Sequence, residues 1–161
     1  MTIVTLIEDL KIFCDNAVKW LKLPTAVSKG DTKQMFRPPD TYKMRLPDGK
    51  SYDKFAPYII VQFANSNHVQ PQGKEPSNKA TVRFIFCVWC DDEQDGAMML
   101  LNVMETVRLE LLRKVTVGEY FKLDVHEPLE SIPYPDNTAP FFAGEMVGTF
   151  DLPPIKREVE L

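Results

Sequence analysis

The sequence has no apolar run approaching the roughly 20 residues that a bilayer-spanning helix needs. It opens Met1-Thr2-Ile3-Val4, with no basic region ahead of an apolar stretch and no small-residue cleavage site, so an intracellular protein is expected. Cysteine is scarce. Cys14, Cys87 and Cys90 make an odd number, which predicts reduced thiols instead of a disulfide framework. Histidine is scarcer still: His68 and His126 have no clustered partner near them in sequence, and metal or acid–base chemistry needs one. No G-x-x-x-x-G-K-S/T, G-x-G-x-x-G or G-x-S-x-G occurs, which removes the phosphate-cradling loops and the framed nucleophilic serine. Internal repeats and domain boundaries are absent as well. These absences predict a single domain over 1–161 that is not an enzyme and carries no cofactor or metal.

Charge excludes further classes. The net charge of −4 disfavours general binding to nucleic acid or an anionic membrane, both of which are polyanionic surfaces. A local exception runs from Lys29 to Lys54, where Lys29, Lys33, Arg37, Lys43, Arg45, Lys50 and Lys54 outnumber Asp31, Asp40, Asp48 and Asp53. No aromatic ladder or glycine-rich loop accompanies these charges, so they read as a solvated loop.

Two local patterns resemble functional motifs and fail on inspection. Cys87-Val88-Trp89-Cys90 has redox spacing, but a reactive pair needs both thiols at a helix N-terminus, and this pair falls at a strand end with its members on opposite faces. No second pair completes a zinc site. Asp91-Asp92-Glu93-Gln94-Asp95-Gly96 resembles the start of a calcium loop, yet position twelve is Asn102 where a bidentate glutamate belongs. Helix capping explains the acids, with Asp91 and Gln94 at capping-box spacing.

What the chain does contain is a core: it is 161 residues long and 44% hydrophobic, and folding should bury roughly 70% of the unfolded surface. Ile3, Leu6, Ile7, Leu10, Phe13, Cys14, Ala17, Trp20 and Leu21 recur at helical spacing over 3–22, with Thr2 as cap and Pro24 as stop. From 23 to 57 prolines accumulate, and Tyr42, Met44 and Leu46 alternate with Lys43 and Arg45 ahead of Pro47-Asp48-Gly49. That predicts a β-hairpin extension over 29–56 turning at Asp48-Gly49.

Residues 58–63 form a strand and Asn65 to Lys79 a mobile polar loop. Thr81 to Cys90 is a long strand with faces Val82/Phe84/Phe86/Val88 and Arg83/Ile85/Cys87/Trp89. A second helix runs from Asp91 to about Lys114, with apolar Ala97, Leu100, Leu101, Val103, Met104, Val107, Leu111 and Leu112. Strands follow at Tyr120–Val125 and Ala143–Leu152, separated by the proline-punctuated stretch 128–140, and the tail 153–161 is extended. The expected fold is α+β: a mostly antiparallel sheet of about four strands with two amphipathic helices on one face. Trp89, Ile85, Tyr58 and Ile60 then lie on the face away from the helices. Apolar surface left there marks a partner site; the alternative is that the hairpin or tail folds back to cover it.

The N-terminal amphipathic helix, the Ala56-Pro57-Tyr58-Ile59-Ile60-Val61 strand, the long strand running into an acid-capped helix, and the ending Pro140-Phe141-Phe142-Ala143-Gly144-Glu145-Met146 through Phe150-Asp151-Leu152-Pro153 together resemble phage tail terminators, also called tail completion proteins. The resemblance is one of element order over most of the chain, without a catalytic signature. It implies a homo-oligomeric ring, usually hexameric, on the last ring of the tail tube of a virion or phage-tail-like particle, assembled in the host cytoplasm. The ring stops tube growth, faces the head-completion proteins or caps a headless particle, and in contractile tails holds the last sheath ring, while DNA passes through its lumen without specific binding.

Carried onto this chain, Tyr58, Ile60, Gln62, Arg83, Ile85, Trp89, Met146 and Phe150 would make subunit and tube contacts. Asn65, Asn67, His68, Gln70 and Lys74 would probe from the loop, and Ile155, Lys156, Arg157 and Val159 would contact sheath or neighbour. The competing expectations are a head-completion or tube-type protein of the same particle, a thiol-dependent enzyme using Cys87 or Cys90, and a monomeric adaptor.

Overall fold

The computed structural model describes residues 1–26, 33–47 and 55–161. Its first element is the helix α1, Ile3–Val18, whose start is fixed by Thr2: the Thr2 hydroxyl accepts from Thr5 N, and Thr5 reaches back to the Thr2 N–H. Leu6, Ile7, Leu10, Cys14, Ala17 and Val18 are buried, as the 3.6-residue period requires. The helix ends earlier than its periodicity suggests. Trp20 lies beyond it and is 65% exposed, so it leaves the apolar face that the sequence assigned to it.

Two short strands follow, β1 (Leu23–Pro24) and β2 (Phe36–Arg37), paired antiparallel. β3 (Asp40–Lys43) then joins the main sheet by running parallel to β4 (Tyr58–Val69). The expected hairpin extension is therefore corrected in its first arm: residues 40–43 form a strand of the main sheet, and Met44, at φ 69°, ends it. The expected turn at Asp48-Gly49 lies outside the described residues. Arg37 is structural, donating to Phe55 O (2.8 Å) and Pro57 O (3.0 Å) and pairing with Asp40 at 2.9 Å.

β4 and β5 (Ser77–Trp89) form a long antiparallel hairpin in register from Tyr58↔Cys87 to Val69↔Ser77, with one irregularity between Phe63 and Asn65. The mobile loop expected over 65–79 is thus overturned: most of it is strand, and only 70–76 turns the chain. Polar composition misled there, because a strand exposed on both faces needs no apolar alternation.

Asp92, not Asp91, caps α2 (Glu93–Lys114); its Oδ2 accepts from Gln94 N at 3.1 Å and Asp95 N at 2.9 Å. Its buried stripe is Gly96, Leu100, Val103, Met104, Val107 and Leu111, which leaves Leu101 and Leu112 outside. β6 (Thr116–Val117), β7 (Phe121–Leu123), β8 (Glu130–Pro133) and β9 (Phe141–Asp151) complete the chain. β8 arises inside the proline-rich stretch where the sequence showed no strand.

Among the described residues the main sheet has seven strands, in the order β3-β4-β5-β9-β7-β6 with β8 also on β9. The fold is α+β, and the sheet is mixed and larger than the mostly antiparallel sheet of about four strands that was expected. The short strands carry too few residues for a period to show.

Both helices cover one face. There Phe84, Phe86, Phe142, Met146 and Phe150 meet Leu6, Leu10, Leu100, Met104 and Leu111, all at most 2% exposed. Each such side chain contributes about 1.5–3 kcal/mol by leaving water. On the other face a smaller cluster gathers Leu46, Ala56, Tyr58, Ile60 and Cys87. No described helix is long and apolar enough to cross a membrane.

Candidate functional site

The feature that the fold projects outward is the distal part of the β4–β5 hairpin. Ala64 to Val69 are all exposed, while Ile59 and Val61 of the same strand are fully buried. β3 stops opposite Val61, so the arm extends past its neighbour on that side. The segment 153–161 returns along the arm. Leu152 N donates to Asn78 O (2.9 Å), Asn78 Nδ2 to Pro153 O (3.1 Å), Gln70 Nε2 to Ile155 O (2.7 Å) and Gln72 Nε2 to Leu161 O (3.0 Å). His68 Nε2 accepts from Ile155 N at 3.1 Å. A groove of about 400 Å³ lies between the turn 70–76 and Ile155, Lys156, Arg157 and Val159.

Of the residues expected to project, Asn65, Asn67 and His68 lie on β4, and Gln70 and Lys74 lie in the turn at its end. His68, read from sequence as solvated, is a hydrogen-bond acceptor for the tail. The sequence reading missed Gln72 and Asn78; isolated polar side chains that hold a backbone across more than seventy residues leave no local signal.

The expected contact residues on the sheet divide by face. Tyr58 and Ile60 are 8% and 7% exposed beneath Leu46 and Ala56, so the extension does fold back over that part of the sheet. Ile85 and Trp89 are half-buried at the margin of the same cluster. Gln62 donates to Met44 O at 2.9 Å, and exposed Arg83 pairs with Glu145 at 2.9 Å.

Met146 and Phe150 are corrected outright. Both are 0% exposed in the helix-facing core, because they share the β9 face that alternation assigns to Phe142 and Gly148, not the outward one. Exposed apolar side chains occur on strands, at Phe36, Val69 and Ile132, and on the helix layer, where Trp20, Leu109 and Leu112 are 65%, 46% and 45% exposed.

Opposite Asn67 of the arm, Lys79 bonds the carboxylate of buried Asp124 and approaches Asp151 at 3.5 Å. The hydrogen bond from Lys79 holds the Asp124 carboxyl below its usual range, with the His126 N–H (3.0 Å) acting in the same direction. The same bond pushes Lys79 up. The pair locks the turn after β7 onto the arm and offers no vacant reactive group.

All three cysteines are buried, Cys87 in the outer cluster and Cys90 in the main core, on opposite sides of the sheet. Burial pushes the Cys14 thiol far up, with the charge of Asp15 adding to it. Among the described residues no three His, Cys, Asp or Glu side chains are grouped so as to hold a metal ion. No family model and no curated protein matches the chain.

Proposed function

We propose that this chain is a structural assembly protein of a phage tail or phage-tail-like particle. It acts as a tail terminator, forming a ring (six subunits, on the resemblance) on the end of the tail tube. The ring ends tube growth, presents a surface to head-completion proteins and, in a contractile tail, holds the last sheath ring. The observation that carries the reading is the exposed hairpin arm with its attached tail. Together they offer an exposed strand, residues 64–69, and a tail that a neighbour can grip.

Other features agree. The arm and the helix-layer apolar patch around Trp20 and Leu109 lie on different elements, so contacts between copies can be heterologous, and heterologous contacts whose rotation closes form rings. A subunit of net charge −4 repels DNA in a lumen, which lets it slide. The thiol-enzyme alternative draws no support from Cys87 and Cys90, which are 7% and 8% exposed and divided between two clusters.

The test is the mass of the purified chain by light scattering behind a sizing column, alone and after addition of tail tube. A discrete ring, free or formed on the tube end, supports termination. Long filaments mean a tube-type protein, and a monomer indifferent to tube removes the assignment.

A further inference from the structure

The arm has an unpaired edge. Val61 O accepts from Met44 N at 2.8 Å, so Val61 turns its backbone groups toward β3. Across the irregularity after Phe63, alternation turns Asn65, Asn67 and Val69 toward β5, and Ser66 and His68 away from it. The partner strand agrees: Asn78, opposite His68, spends its carbonyl on Leu152 N instead of on β4. Among the described residues no strand pairs with β4 beyond Val61 on its outer side.

Edges of this kind are normally guarded by charge, proline, brevity or a bulge, and here only the irregularity between Phe63 and Asn65, at the start of the exposed stretch, is of that kind. Gln62 to Val69 contains no Asp, Glu, Lys, Arg, Pro or Gly. The opposite margin of the sheet is guarded. β8 is four residues long, and since Tyr134 N turns inward to Ala143 O, Pro133 faces outward without an N–H to donate.

The chain also carries a strand-like segment that is in no strand. Ile155-Lys156-Arg157-Glu158-Val159-Glu160-Leu161 alternates apolar and charged residues at all positions but Arg157. Ile155, Val159 and Leu161 are 62%, 66% and 81% exposed. Its described hydrogen bonds run to the side chains of His68, Gln70 and Gln72 and not to a backbone ladder. Phe63 N donates to Met44 Sδ at 3.3 Å, so the open edge runs from Ala64 to Val69, and seven extended residues, spanning roughly 23 Å, are long enough to cover it.

We propose that the open edge of β4 accepts residues 155–161 of a second copy as an added strand, so that each subunit donates its tail to the next. The inference rests on the ring reading and specifies its contact. Donor and acceptor are different surfaces, which makes the interface heterologous and lets a closed ring satisfy every edge. The bonds from Gln70, Gln72 and His68 hold the tail beside the arm before exchange.

The deciding experiment uses two full-length chains purified separately, one with Ser66→Cys and one with Val159→Cys, then mixed and oxidised. The buried native cysteines stay silent. A disulfide-linked pair of one chain of each kind is expected on a denaturing gel. Absence of that pair, with a cross-link forming only inside a single chain that bears both substitutions, overturns the proposal. Mass measurements separate the two layers of the argument. Ser66→Pro removes an outward N–H and no bond to β5, so it should keep the folded circular dichroism spectrum and lose the ring, as should deletion of 155–161. If the deleted chain still forms the ring, tail donation is wrong and the ring reading stands. If the intact chain forms no ring, alone or on tail tube, both fall.

Discussion

Asp124 shows how one buried charge ties the turn after β7 to the arm. Its carboxyl is depressed by the bond from Lys79, so its contribution is complete above the ordinary carboxylate range and is lost as pH falls through the depressed value. Lys79 is raised by the same bond, so its contribution is complete below the ordinary lysine range and is lost as pH rises through the raised value. Asp124→Asn should therefore lower stability by about 1–2 kcal/mol near neutrality, the modest figure reflecting a lysine side chain that is 36% exposed and rehydrates. Urea titrations across pH should show the difference from the parent shrinking below about pH 4 and above about pH 10.5; a difference independent of pH would refute the pairing. Gly96 makes a second residue-scale case. Alanine would favour the helix by about 1 kcal/mol, but its Cβ would stand 2.1 Å from the Phe142 ring. Gly96→Ala should be destabilising by about 1–3 kcal/mol through overpacking, read as a lowered denaturant midpoint at unchanged slope.

At the scale of elements, legibility followed burial. α1 was readable because Leu6, Leu10, Cys14 and Ala17 must line one face; its end was not, because Trp20 continues the spacing without joining the core. The proximal halves of β4 and β5 were visible as apolar runs. The distal half of β4 was not, because residues 64–69 are exposed and are held by backbone pairing that every sequence shares; the start of β5 was hidden by its polar Ser77, Asn78 and Lys79 although Ala80 is buried. β8 left no signal in the proline-rich stretch, while β3 lay where the alternation of Tyr42, Met44 and Leu46 predicted a hairpin arm, and only its parallel pairing with β4 was unreadable.

For the whole molecule, the distribution of thiols gives a further expectation. Cys14, Cys87 and Cys90 are all buried, so alkylation of the native chain should proceed only as fast as the protein opens, and should accelerate in step with denaturant. Fast labelling of Cys87 or Cys90 at native conditions, followed by mass spectrometry, would revive the thiol-enzyme reading. The ring reading concerns the molecule as a unit too, and the solution mass decides it. Its expected contacts are now divided: Met146 and Phe150 hold the core, while His68, Gln70 and Ile155 meet on the arm.

The sequence by itself determined the two amphipathic helices, the central apolar strands and hence an α+β layering, since periodic burial is written residue by residue. It also determined that no familiar catalytic or phosphate-binding motif is present. Only the tertiary structure decided that β3 runs parallel, that residues 64–69 form a strand with an open edge, and that the tail lies along the arm. Those outcomes depend on backbone hydrogen bonds between distant segments, and a backbone N–H or carbonyl carries no residue identity for a sequence to display.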